Sequence, residues 1–116
     1  MTWEEVCALA GRWPLVEVGT AHGNPALRAA GKFLTRLRPD EASVVLLEVG
    51  FDEREMLMEA EPQTFYITPH YRDWPSVLAR LDSIDSGSLA QLLYRRWRKV
   101  TPKRVVKAYE SEGGGP

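Results

Sequence analysis

Residues 26–49, ALRAAGKFLTRLRPDEASVVLLEV, carry the clearest strand and turn signals in the chain. A glycine separates two short segments, Ala26–Ala30 and Lys32–Leu37, as in a tight β-hairpin. The residues Arg38-Pro39-Asp40-Glu41 indicate a second turn, and Ser43–Val49 is the most β-prone run in the protein. Three strands with short connections predict an antiparallel meander.

Helical patterns flank this meander. Thr2 and Glu5 fit a capping box at the start of a first helix. Asp52 and Glu55 repeat that pattern for a second helix, which runs to about Ala60. A third, long helix is predicted to have Asp85 or Ser86 as its N-cap residue, and Pro102 ends it.

Two more extended segments, Thr64–Thr68 and Ser76–Leu81, complete the pattern. The predicted class is α+β, with three helices packed in two layers on a mostly antiparallel sheet, formed by the meander and one or two further strands. One face of this sheet packs on the helices, and the other is open to solvent or to a partner.

The length of 116 residues is that of one domain. We assign residues 1–109 to it and expect residues 110–116 to be a disordered tail. There is no apolar run as long as a membrane helix and no secretory signal pattern. The single cysteine, Cys7, cannot form an internal disulfide. These features predict a cytoplasmic protein without a membrane partner.

The net charge of −1 conceals a strong asymmetry along the chain. Residues 40–61 contain eight acidic residues and one basic residue, whereas residues 95–107 contain seven basic residues and no acidic one. The basic segment is either a patch that binds phosphates or a solvated helix that neutralises the acidic segment within the fold. Arg96 falls inside the apolar stripe of the third helix, so we expect it to be partly buried and to snorkel or pair with a carboxylate.

The chain lacks the common motifs of catalysis and metal binding. It has no G-x-S-x-G elbow and no glycine-rich phosphate loop. His22 and His70, the two histidines, have no metal-ligand spacing. We therefore predict no catalytic residue, cofactor or metal site, and a protein that is not an enzyme.

Residues 68–75, TPHYRDWP, are the most unusual local feature. Two aromatic residues, a histidine and an arginine lie between two prolines, and such groups suit bases and phosphates. The alternative is a rigid loop in which Tyr71 and Trp74 close one end of the core.

Short motifs along residues 2–104 occur together in a recognisable order. They are Thr2-Trp3-Glu4-Glu5-Val6, Gly31-Lys32-Phe33 with Leu37, Phe51-Asp52-Glu53-Arg54-Glu55, Thr68-Pro69-His70-Tyr71-Arg72 with Val77-Leu78, and Trp97 followed by Pro102-Lys103-Arg104. In these motifs the chain resembles the MmcQ/YjbR family of small bacterial proteins. The resemblance implies a compact α+β fold and a DNA-binding role through a double-wing arrangement of hairpins, with no known catalytic residues. The hairpin around Gly31-Lys32 and the loop around His70 would be the wings.

We therefore expect a non-enzymatic protein that binds DNA phosphates through a local basic face. The candidate contacts are Lys32, Arg36, His70, Tyr71, Arg72, Arg95, Arg98, Lys99, Lys103 and Arg104. One alternative is an interaction module or homodimer that uses an apolar patch on the open sheet face. Another is an enzymatic or small-molecule site near His70, which requires a concave pocket and a nearby carboxylate or histidine.

Overall fold

A six-stranded sheet runs through the whole fold. The computed structural model describes residues 1–116, apart from the side chain of Glu41. The strands are β1 (Val16–Ala21), β2 (Asn24–Ala29), β3 (Lys32–Arg38), β4 (Ser43–Leu46), β5 (Phe65–Tyr66) and β6 (Val77–Arg80). Their order in the sheet is β1-β2-β3-β4-β6-β5, and all neighbouring strands are antiparallel.

The described residues also form four α-helices. These are α1 (Trp3–Ala10), α2 (Phe51–Ala60), α3 (Ser86–Val100) and α4 (Lys103–Ser111), with short 3-10 turns at Pro39–Glu41 and Pro69–Tyr71. The predicted α+β class is confirmed, and β2, β3 and β4 are the predicted meander. In the part of the chain that the structure describes, no helix is both long enough and apolar enough to span a bilayer.

Strand β1 was not predicted from the sequence, and a tight turn joins it to β2. The turn itself consists of His22 and Gly23, whose φ angles are +53° and +78°. The β2–β3 turn repeats this geometry at Ala30 and Gly31, with φ of +52° and +78°. Two-residue turns with positive φ at both positions match the twist of an antiparallel hairpin, so β1, β2 and β3 form two consecutive tight hairpins.

The number of helices is four rather than the predicted three. Pro102 ends α3 as expected, but it also precedes α4 as its N-cap residue. The new helix is stabilised by packing that no local signal indicates. Val106 is buried, and the Tyr109 ring lies 5.3 Å from the Trp97 ring, centroid to centroid.

The C-terminal residues contact the body of the domain. Helix α4 continues to Ser111, so the predicted boundary at residue 109 falls inside a helix. The carbonyl oxygen of Gly115 accepts hydrogen bonds from Trp13 Nε1 at 3.1 Å and from Tyr109 Oη at 3.0 Å. Gly115, which lies within the predicted tail of residues 110–116, therefore contacts two aromatic side chains.

The helix starts show one correct and one wrong prediction. At α1, Thr2 and Glu5 form the predicted capping box, with both reciprocal hydrogen bonds present. At α2, the box predicted from Asp52 and Glu55 is wrong, because the N-cap is Gly50 and makes no side-chain hydrogen bond.

One face of the sheet packs against α1 and α3. The buried cluster there includes Val6 of α1, Leu34 of β3, Leu46 of β4 and Leu93 of α3. The ring of Trp97 stacks on that of Tyr94 at 5.0 Å between centroids and donates a hydrogen bond from its indole nitrogen to the Pro14 carbonyl at 2.8 Å. This core therefore packs the N-terminal helix α1 and the helix α3 against the central strands β3 and β4.

We expect Leu93→Ala to lower the free energy of unfolding by about 2–5 kcal/mol, because it leaves a cavity in a close-packed core. Urea denaturation followed by far-UV circular dichroism measures this change. Met56→Ala is the matched control, because Met56 is exposed, and its effect should stay within about 0.5 kcal/mol. Equal effects of the two substitutions would contradict the assignment of Leu93 to the core.

Candidate nucleic-acid interface

Arg54 on α2 holds the loop of residues 69–76 in place. The residue is only 7% exposed. Its Nη1 lies within hydrogen-bonding distance of the carbonyl oxygens of Tyr71 (3.3 Å), Trp74 (2.9 Å) and Ser76 (3.2 Å), and its Nη2 donates to that of Arg72 at 2.9 Å. The buried cation is thus satisfied by main-chain dipoles, and the loop is anchored at four points.

No structural or binding role was predicted for Arg54 from the sequence. It is the only base within the acidic segment, in a helix whose charged residues are otherwise exposed or half-buried. Its neighbour Phe51 lies 4.9 Å from the guanidinium, measured to the ring centroid. No local pattern distinguishes a buried arginine in such a helix from a solvated one, because the four carbonyl partners come from another segment.

The loop of residues 69–76 brings together only some of the predicted DNA contacts. His70 and Arg72 are exposed, and the His70 ring lies at 4.8 Å from the half-buried ring of Tyr71. The Tyr71 hydroxyl accepts a hydrogen bond from Arg36 Nη2 at 3.2 Å. Trp74 is 63% exposed, so it does not close the core as the alternative reading expected.

The basic residues of α3 are paired with carboxylates. Arg95 forms two hydrogen bonds with Glu53, at 2.7 and 2.9 Å. Arg96 and Lys99 bind the two oxygens of Glu48 at 3.3 and 3.0 Å. Glu48 and Glu53 belong to the acidic segment, so the interpretation that the two charged segments neutralise each other is confirmed for these pairs.

Arg96 also confirms a prediction from helical periodicity. It is half-buried, pairs with Glu48, and donates from Nε to the Phe33 carbonyl at 2.8 Å. Farther along α3, Arg98 binds Glu110 of α4 at 2.9 and 3.1 Å. The Tyr94 hydroxyl donates to the same carboxylate at 2.7 Å.

These contacts change the acidity of the groups involved. The hydrogen bonds from Arg95 lower the pKa of Glu53 below its ordinary value of 4.5. Those from Arg98, and then from Tyr94, lower the pKa of Glu110. Burial, and then the bond to Glu110, raise the pKa of Tyr94. The carboxylates of Glu53 and Glu110 are therefore held in their charged form.

Four of the predicted lysine and arginine contacts, including Arg72 of the loop, have exposed side chains without an ion-pair partner among the described residues. Lys103 and Arg104 lie in the first turn of α4, and Lys32 lies at the start of β3. Within the described part of the chain, no carboxylate pairs with any of them. The structure thus separates the predicted residues into a paired group on α3 and scattered unpaired cations.

A second group of cations lies on the face of the sheet opposite the main core, which we call the outer sheet face. Apart from the register shift in the β2–β3 pair, which passes over Leu34, side chains alternate along each strand, and Leu27, Leu37 and Ala79 contribute to the core. Their neighbours therefore point to the outer sheet face: Arg28 on β2, Arg36 and Arg38 on β3, and Arg80 on β6.

Three of these arginines have only uncharged polar partners. Arg28 Nη2 donates to the Thr20 carbonyl at 3.1 Å, and Arg36 donates to the Tyr71 hydroxyl. Arg80 lies over the Tyr66 ring at 4.1 Å and approaches two carbonyl oxygens at 3.4 Å. Among the described side chains, no carboxylate forms an ion pair with these three, so their charges are not neutralised by direct contact.

Of these four arginines, only Arg36 is among the predicted DNA contacts. The missed signal is the alternation of arginine with apolar residues in Leu27-Arg28-Ala29 and Leu37-Arg38. Alternation shows that such residues share one face of a sheet. It becomes informative only when the strand order places β2, β3, β4 and β6 side by side.

A groove of about 510 Å³ lies between the loop, the end of β4 and α3. It is lined by Leu47, Glu48, His70, Tyr71, Trp74, Pro75, Ser76, Arg96 and Lys99. The concave pocket that the small-molecule alternative requires is therefore present beside His70, and the Glu48 carboxylate forms part of its wall. No three His, Cys, Asp or Glu side chains among the described residues are grouped to hold a metal ion.

The fold and these surfaces define a small α+β protein with two tight hairpins, an arginine-bearing sheet face and one adjoining groove. The chain belongs to the YjbR family, whose sequence model matches residues 12–99. It is 28% identical over 128 aligned positions to the uncharacterized protein Rv2570 of Mycobacterium tuberculosis H37Rv, covering 97% of this chain and 98% of that protein. The uncharacterized proteins MT2646 of M. tuberculosis CDC 1551 and Mb2600 of Mycobacterium bovis match equally. No solved structure matches significantly.

We expect Arg54→Met to lower the free energy of unfolding by about 2–4 kcal/mol, because it leaves four carbonyl groups without their charged donor. Arg54→Lys should recover only part of this, since one ammonium group cannot reach all four oxygens. Urea denaturation measures both changes. Arg72→Gln is the control, because that side chain is exposed and its loss should change the free energy of unfolding by no more than about 0.5 kcal/mol. An effect of Arg54→Met as small as that of the control would show that the loop does not depend on Arg54.

The Arg95–Glu53 pair predicts a pH-dependent contribution to stability. The pKa of Glu53 is lower in the folded protein than its ordinary value of 4.5, so the pair stabilises the fold above that pH and ceases to do so as pH falls through the folded-state pKa. Glu53→Gln should therefore cost less than about 1 kcal/mol at neutral pH, as for exposed pairs, and progressively less in acid. Urea denaturation across a pH series checks this.

The control for that series is Glu55→Gln on the same helix. Glu55 is exposed and has no ion-pair partner within the described residues. A Glu53→Gln effect that stayed constant from neutral to acid pH would contradict the assigned ion pair.

Proposed function

We propose that this YjbR-family protein is a cytoplasmic, non-enzymatic protein that binds DNA through its outer sheet face. The observation that carries the proposal is the set Arg28, Arg36 and Arg80, whose polar partners are carbonyl or hydroxyl groups. A guanidinium group without a carboxylate partner keeps its full charge for a phosphate, and its planar donors fit phosphate oxygens well. The cytoplasmic location follows from the proposed partner.

This proposal moves the interface away from α3. The α3 candidates Arg95, Arg98 and Lys99 each bind a glutamate. To reach a phosphate, each would have to leave that glutamate or share it, which weakens the gain from counterion release. Arg28, Arg36 and Arg80 form no ion pair with a described carboxylate, and Tyr71, a residue of the predicted set, lies beside Arg36.

The alternative of a homodimer through the same face has less support. It would need a contiguous exposed apolar patch. The exposed large hydrophobic residues within the described chain are Leu15, Val18, Phe51, Met56 and Trp74, and none is on the outer sheet face. Val45 and Leu78, which do point to that face, are buried. An arginine-bearing surface fits a polyanion better than a second copy of itself.

We expect a labelled DNA duplex to bind with a logarithmic salt slope near −3, because about three phosphate contacts release about 0.9 counterion each. Fluorescence anisotropy over a salt series measures this slope. Arg28→Gln with Arg80→Gln should weaken binding and reduce the slope by about 2.

The matched control is Lys103→Gln with Arg104→Gln, which removes the same charge from α4. This variant should bind like the wild type. If it loses binding while the first variant does not, the interface lies on α4 and the outer sheet face is the wrong assignment. No wild-type binding below about 100 μM at low salt would overturn DNA binding itself.

A further inference from the structure

The groove beside Trp74 is distinct from the three arginines proposed to bind DNA. Its volume of about 510 Å³ lies within the range of about 300–1,000 Å³ that is typical of small-molecule sites. We infer that this groove binds a small planar aromatic carboxylate.

The apolar wall of the groove fits an aromatic ring. Trp74 is 63% exposed, and none of the ring contacts within the described residues involves it. Pro75 and Leu47 line the same groove. Because Arg54 binds the Trp74 carbonyl at 2.9 Å, the backbone that carries the indole is anchored before a ligand arrives. Stacking a flat ring there removes apolar surface from water at little ordering cost.

The polar wall carries one uncompensated positive charge. Glu48 binds Arg96 with one oxygen and Lys99 with the other, so two cations face one carboxylate. The Lys99 side chain is 65% exposed, which leaves its ammonium group able to donate to a ligand as well. A single ligand carboxylate balances this wall, whereas a phosphate dianion would add a second charge close to Glu48.

The orientation of these charges is supported from outside the groove. Arg96 is held by its bond to the Phe33 carbonyl at 2.8 Å. The carbonyl groups of Tyr71, Trp74 and Ser76, three residues that line the groove, contact the Arg54 guanidinium, whose positive charge offsets their negative dipoles. The ligand class therefore follows from one apolar wall and one wall of net positive charge.

Isothermal titration calorimetry with 2-naphthoate tests the inference on the full chain. We expect one site with a dissociation constant at or below about 1 mM, a value that a fragment of this size can reach. Trp74→Ala should weaken binding about tenfold through lost stacking and burial. Lys99→Gln should weaken it about two- to fivefold, as expected for an exposed charge.

Two matched controls separate local from general effects. Met56→Ala removes an exposed apolar side chain outside the groove, and Lys107→Gln removes an exposed charge from α4. Both should bind 2-naphthoate like the wild type. Equal losses in the controls, or undiminished binding by Trp74→Ala, would overturn the assignment of the site.

Three further probes test the ligand class. 2-Naphthamide, which lacks the charge, and hexanoate, which lacks the ring, should each bind more weakly than 2-naphthoate. Tighter binding of adenosine 5′-monophosphate would overturn the carboxylate assignment in favour of a nucleotide. No measurable binding of 2-naphthoate would overturn the inference, and it would leave the DNA proposal unaffected because no probe contacts the arginines of the outer sheet face.

Discussion

The guanidinium group of Arg54 contacts four main-chain carbonyl oxygens between Tyr71 and Ser76, and both candidate sites depend on this arrangement. The segment follows a 3-10 turn and lies outside the strands, so no strand ladder satisfies its carbonyl groups. The carbonyl groups of Tyr71 and Trp74 also accept local backbone hydrogen bonds, and the buried charged donor of Arg54 contacts all four groups at once. Helix α2 thereby sets the position of a loop about twenty residues farther along the chain.

Tyr71 is in contact with Arg54 and with both candidate sites. Its carbonyl contacts Arg54, its hydroxyl binds Arg36 on the outer sheet face, and its ring lines the groove beside Trp74. The proposed DNA surface and the proposed ligand groove are therefore different surfaces that share one structural support. A change in the position of this loop would alter both.

The distribution of charge is governed by pairing rather than by local density. The basic run on α3 has the highest concentration of cations in the chain, yet Arg95, Arg96 and Lys99 are bound to Glu53 and Glu48. These ion pairs attach α3 to Glu53 of α2 and to Glu48, which lies just after β4. Cations that are separated in sequence, such as Arg28 and Arg80, bind carbonyl oxygens and form no ion pair with a described carboxylate. The density of charge along a sequence is thus a poor guide to where a phosphate can bind.

Local signals in the sequence determined the meander of β2, β3 and β4, the capping box at Thr2 and the partial burial of Arg96, since each depends on neighbouring residues or on helical period. Strand β1 was missed although its partner β2 is adjacent, because residues 19–25 are rich in turn residues and favour a loop locally. Helix α4 was missed because its stability comes from packing outside the helix, where Tyr109 contacts Trp97. The role of Arg54, the shared face of Arg28, Arg36 and Arg80, and the groove beside Trp74 were decided by tertiary structure alone. Each brings together residues that are far apart in sequence, and only the folded chain sets the distances and burial on which their charge and hydrogen bonding depend.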